Sequence, residues 1–216
     1  MSRRVSNLLA ALVLAGGGAL APFGDAAAGE RLWELGIGVQ GGWAHLEEAA
    51  PDGFALSEGP GYGLVLAAGR RLAPRATATL TVLAARHDTN QENVSADWSA
   101  GLLGLRYELA SAGGLAPYLH GGLGGVHTRI RSEGRGGGPG GGRARNEQLE
   151  LDGLAGLLGA GVRLAASPRL QFDLEVDHLI VGYNDESVVL ESGYTGTRID
   201  KAGSFTRLAL VARFLL

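Results

Sequence analysis

Leu170-Gln171-Phe172-Asp173-Leu174-Glu175-Val176-Asp177-His178-Leu179-Ile180 decides the fold of this chain. Leu170, Phe172, Leu174, Val176 and Ile180 occupy every second position, and Gln171, Asp173, Glu175 and Asp177 fill the positions between. A period of two is a strand signature. Strands of about 9 to 11 residues cross a bilayer when tilted, and such strands put apolar side chains toward lipid and polar ones toward a lumen. This stretch therefore predicts a membrane barrel with a polar interior.

The same alternation recurs along the chain. Strand one is expected over residues 32–44, with Trp33, Leu35, Ile37, Val39 and Trp43 on one face and Glu34, Gly36, Gly38, Gln40 and Gly42 on the other. Trp33 and Trp43 have the spacing of an aromatic girdle at two interfaces, to which Tyr107 and Phe214 are added. Further strands are expected over 62–71, 76–86, 98–109, 118–130, 149–165, from 170 to about 183, and 204–216. Long connections alternate with short ones, the long ones including 86–94, the segment SEGRGGGPGGGRARNEQ and 184–203. That rhythm predicts an all-β, eight-stranded antiparallel up-and-down transmembrane β-barrel, with both chain ends in the periplasm. An even strand count lets the sheet close, which hydrocarbon demands because it cannot satisfy exposed backbone groups.

Residues 1–28 read as a signal peptide: Arg3 and Arg4 precede an apolar run over 8–20, and Ala26-Ala27-Ala28 offers small residues for cleavage before Gly29. Residues 29–216 are then one barrel domain. The absence of cysteine excludes a disulfide framework and acylation at a cysteine. A net charge of −3 argues against a nucleic-acid partner, and 37 glycines dispersed among strand-like segments do not describe a disordered chain.

The residues PYLHGGLGG (117–125), GLLGAGVRL (156–164) and LQFDLEVDHLIVGY (170–183) resemble the outer-membrane β-barrel superfamily that contains the transmembrane domain of outer-membrane protein A and outer-membrane protein X. The likeness covers nearly all of residues 29–216. It implies a bacterial outer-membrane location, contact with outer-membrane lipid and delivery by the barrel assembly machinery; it implies no cofactor, leaves the oligomeric state open with a monomer favoured, and says little about activity. The resemblance also implies a terminal aromatic residue, whereas this chain ends Ala212-Arg213-Phe214-Leu215-Leu216, with Phe214 two positions early.

Lumen-facing charges form the most organised polar set. Counting across the short turns at Pro168 and Gly113 sets Arg163 near Asp173, Arg106 opposite His120 and Glu108 opposite Tyr118, and closing the last strand onto the first sets Arg213 near Glu34. Such charges must be paired in a narrow barrel. Gly122, Gly124, Gly159 and Gly161 should also face inward, making room for bulky side chains. In the third outer loop Arg129, Arg131, Arg135, Arg143 and Arg145 surround the glycine tract, and their guanidinium forks suit lipopolysaccharide phosphates.

Catalytic candidates are sparse. His87, Asp88 and His127 fall near outer strand ends with Ser95 and Ser132 in reach, but adjacent strand residues point to opposite faces, so His87 and Asp88 should not cooperate. His178 falls on the lipid-facing parity, at the interface or at a small bulge. No triad-like arrangement is legible, nor is the His-x-Ser motif of the lipid A deacylases. The expected role is non-enzymatic: structural, envelope-maintaining or surface-interacting. A lipopolysaccharide-binding or adhesin-like barrel acting through the third loop is the alternative, ahead of a lipid-modifying enzyme or a small porin-like pore.

Overall fold

The computed structural model describes residues 32–46, 59–88, 94–109, 114–132, 147–190 and 193–216. The signal-like segment, most of the outer loops, and Arg135, Arg143 and Arg145 lie outside them. The described residues form eight strands: β1 (Trp33–Leu46), β2 (Gly59–Ala73), β3 (Ala76–Asp88), β4 (Val94–Glu108), β5 (Leu115–Ser132), β6 (Glu147–Ala165), β7 (Leu170–Leu190) and β8 (Gly193–Leu215). Each pairs antiparallel with its sequence neighbour, and β8 returns to β1 to close the barrel. Closure leaves no sheet edge to solvate.

The alternating pattern sets which residues face lipid. Leu35, Ile37, Val39, Leu64, Leu66, Leu103, Leu105, Leu119, Leu123, Leu158, Leu174, Val176, Leu208 and Leu210 are all exposed and clothe the outside. Trp33, Tyr107 and Phe214 ring the periplasmic end, and Trp43 with Tyr62 stands near the other. Tyr62 is an exposed aromatic that the sequence reading had not grouped with them.

The structure departs from the expected layout in two places. First, β7 and β8 continue well beyond the expected boundary, pairing as far as Leu190 with Gly193, so most of 184–203 is a hairpin and not a loop. Similarly, β3 reaches Asp88 and β4 starts at Val94, which shortens the connection expected over 86–94. Above the hydrocarbon a strand no longer needs an apolar outer face, so its alternation fades although its backbone pairing does not. Second, the lumen charges give way outward to an apolar plug. The outer half of the lumen is packed with Val65, Leu83, Trp98, Ile130, Leu151, Leu179, Tyr183 and Phe205, all buried. Phe205 lies against Trp98 and meets His87 edge-on, with ring centroids 5.2 and 4.8 Å apart. His178 is not at a bulge but faces outward, as its lipid-facing parity predicts, and bonds Thr206 Oγ1 through Nδ1 at 2.9 Å. Among the described pairings of β7, the register shift falls instead between Tyr183 and Asp185, opposite Asp152 and Gly153.

A closed, hydrogen-bonded cylinder of this kind resists unfolding by detergent. The protein extracted in detergent should give a β-dominated circular dichroism spectrum and run at different positions on gels before and after boiling. A helical spectrum would overturn the architecture.

Candidate functional site

The expected charge network is assembled at the periplasmic half of the lumen. Arg163 pairs with Asp173 across β6 and β7, donating from Nε at 2.8 Å and from a terminal nitrogen at 2.9 Å. Arg213 of β8 donates to the same Asp173 carboxylate from the other side. Its terminal nitrogens reach Glu175 at 2.7 Å and Glu34 at 3.2 Å. Arg106 of β4 makes a two-pronged contact with Glu34 of β1, both bonds 2.7 Å long, straight across the interior. Arg163 also donates to Glu108 at 2.6 Å. All seven residues anticipated for the network are inward, and six of them form one connected set.

The seventh, His120, belongs to a second tier above it. Its Nε2 lies 2.6 Å from Asp177 Oδ1, and Asp177 is also paired with Arg207. Arg207 donates to Gln40 at 2.7 Å. Sequence reading missed Arg207, Glu175 and Asp177 as network members, although Glu175 and Asp177 stood on the inward parity of the decisive stretch. Arg207 shares its parity with Arg213, six residues further on, and was legible from the same count.

Packing explains the glycines. Any Cβ on Gly161 would strike the Tyr118 ring, and one on Gly159 would strike the Asp177 carboxylate. Tyr118 fills the space so opened, donates to Glu175 at 2.9 Å, and takes the guanidinium groups of Arg106 and Arg163 over its ring at 5.5 and 5.8 Å. A buried cation gains from an aromatic face as well as from its counter-ion.

His120, Glu175 and Asp177 offer ligand atoms within 4.8 Å of one another and are the group that could hold a metal ion among the described residues. The donor set does not favour it. Glu175 already accepts from Tyr118 and Arg213, and Asp177 is paired with Arg207, so a divalent cation would sit beside guanidinium groups that already neutralise its ligands. A cavity of about 20 Å³ beside His120, Thr79, Thr81 and Arg207 has room for one water.

The outer wall carries a polar collar above the leucines. Arg129 and Arg131, the two described members of the loop-three arginines, are on β5 itself. Arg129 donates to Glu150 at 2.8 and 3.1 Å, and Arg131 lies 3.5 Å from Asp97. One step nearer the membrane, His127 Nδ1 lies 2.8 Å from Asp152 Oδ1, and Ser99 is the register partner of His127. Ser99, His127 and Asp152, a set not legible in the sequence, thus stand in one cross-strand row on the outer wall. Ser99 and His127 could have been paired by counting about Gly113, but Asp152 lies beyond the long third connection, across which no register can be counted. His87 and Asp88 do part as expected, one buried and the other exposed.

No protein-family model and no curated protein matches the chain. Among solved structures it is similar to Neisserial surface protein A, with a TM-score of 0.55 at 14% identity over 85% of this chain and 97% of that one. It is also similar to a major outer membrane protein from Thermus thermophilus, with a TM-score of 0.52 at 12% identity over 85% of this chain and 99% of that one. With its lipid-facing belt and closed sheet, the chain has the fold of the small eight-stranded outer-membrane β-barrels.

Proposed function

We propose that this barrel serves the envelope as a structural and surface-interacting protein rather than as a conduit. The observation that carries the reading is the filled interior: an ion-pair network below and an aromatic and aliphatic plug above, with a described cavity of about 20 Å³ that suits one water. An ion crossing it would have to displace buried, mutually paired charges. Reconstitution into a planar bilayer should give no stepwise conductance at physiological salt. Regular single-channel openings by the purified protein would refute the reading.

Placement of Arg129 and Arg131 on the outward face, above the leucine belt, favours a second reading in which the collar and third loop meet phosphorylated lipopolysaccharide. Both arginines are held by carboxylates, which orient a guanidinium while leaving other donors for a phosphate. Replacing Arg129, Arg131, Arg135, Arg143 and Arg145 with Gln should weaken lipopolysaccharide binding while folding is retained, since Arg129 and Arg131 stand above the leucine belt. Binding unchanged in the variant, or indifferent to salt in the wild type, would remove this contact from the account.

A further inference from the structure

Ser99, His127 and Asp152 stand in one cross-strand row on β4, β5 and β6, each the register partner of the next. All three share the outward parity of Leu103, Leu123 and Leu154. The contact between His127 Nδ1 and Asp152 fixes the ring, because a carboxylate accepts the Nδ1 proton and leaves the lone pair on Nε2. Nε2 is shielded and has no hydrogen-bond partner among the described residues. Ser99 is drawn up against His127 as well: its Oγ donates to the His127 carbonyl oxygen at 3.5 Å. Beside Asp152 the strand pairing of β6 with β7 shifts register, a device that re-aims side chains.

The rows above and below this one follow the chemistry of a membrane lipid in order. Toward the membrane lies the pair Gly101 and Gly125, flanked by Leu154, and beyond it Leu103 pairs with Leu123. Away from the membrane lies the row Asp97, Arg129 and Glu150. Successive rows are two residues apart, about 6.6 Å along a strand. A lipid resting on this wall would place acyl chains on the glycines and leucines, a phosphate at Arg129, and its ester linkage between them.

We propose that Ser99, His127 and Asp152 form a serine acyl-hydrolase site for ester-linked lipids of the outer leaflet, an activity beyond the structural role given above and independent of it. The mechanism requires Ser99 to turn about χ1, so that its Oγ leaves the His127 carbonyl for the ring Nε2. Ser99 Oγ then attacks the ester carbonyl carbon while its proton passes to His127 Nε2. The bond from that carbon to the alkoxy oxygen breaks, the departing oxygen takes the proton from His127, and the acyl group remains on Ser99. Water repeats the sequence: its proton goes to His127, its oxygen to the acyl carbon, and the proton returns to Ser99 as the fatty acid leaves. Ser99 and His127 are the catalytic residues. Asp152 is a positioning residue, which holds the tautomer and stabilises the imidazolium.

The test uses the full chain folded in detergent micelles, with ester-linked phosphatidylethanolamine in one arm and lipid A in the other, and fatty acid release followed by mass spectrometry. Release in either arm is expected and identifies the lipid class. Ser99→Ala and His127→Asn should lower it by at least about 100-fold while the unheated gel position is kept. A fluorophosphonate should label Ser99 in the wild type and not in His127→Asn. Asp152→Asn should reduce turnover and shift the pH profile, and Asp152→Glu should restore part of it, a rescue that a merely structural carboxylate would not give. No release above protein-free micelles in both arms, or release undiminished in Ser99→Ala, would overturn the proposal.

Discussion

Asp173→Ala should destabilise the barrel by about 3 to 5 kcal/mol. Asp173 is fully buried, and its two oxygens accept from Arg163 Nε, from a terminal nitrogen of Arg163 and from Arg213 Nε. Counting charges alone would suggest otherwise. Among the described residues the lumen holds Glu34, Glu108, Asp173, Glu175 and Asp177 against Arg106, Arg163, Arg207 and Arg213, so removing one carboxylate even evens the formal tally. Local bonding decides the sign: three charge-assisted bonds vanish where no water can replace them. Adding Arg163→Leu to the mutant should recover part of the loss, because one of the stranded guanidinium groups goes with it. A double-mutant cycle on urea unfolding in bilayers measures this coupling. Strictly additive losses would mean that the two residues do not interact.

Leu174→Arg should cost about 2 to 4 kcal/mol of insertion free energy. Leu174 is 48% exposed and stands in an outward row between Val162 and Leu210, which continues to Val39. Val39 falls between the two tryptophans of β1, so the row runs close to the middle of the apolar belt. A cation there meets hydrocarbon with no partner in reach. Thr79→Ser, which faces the small internal cavity, should be mild by comparison. Equal tolerance of the two substitutions in a lipid-insertion assay would reverse the inside and outside of the barrel.

What the sequence made legible follows the solvent that each segment meets. Between Leu170 and Ile180 lipid on one side and packed charge on the other impose strict alternation, and the facing of Asp173 and Leu174 could be read directly. Turns of few residues, such as the one at Pro168, transmit register, which is why Arg163 and Asp173 could be paired by counting. Past about Tyr183 the sequence Asn184-Asp185-Glu186-Ser187-Val188-Val189 no longer alternates, so side-chain polarity stops marking the strand and β7 could not be followed to Leu190. Trp98 and Phe205 were legible as strand residues but not as a plug, because their meeting joins β4 to β8 across the barrel. The row of Ser99, His127 and Asp152 was hidden for a related reason: the glycine tract between β5 and β6 erases the count.

The lumen network does more than neutralise itself. Lipid reads only parity: sliding β8 by two residues along β1 would keep Leu208 and Leu210 on the outer face. The same slide would carry Arg213 away from Glu34 and Asp173, residues contributed by the first and seventh strands. Arg106 and Arg163, brought from the fourth and sixth strands, impose the same demand on Glu34 and Asp173. The ion pairs thus act as a checksum on closure, satisfied only when the final strand arrives at the correct residue as well as on the correct face.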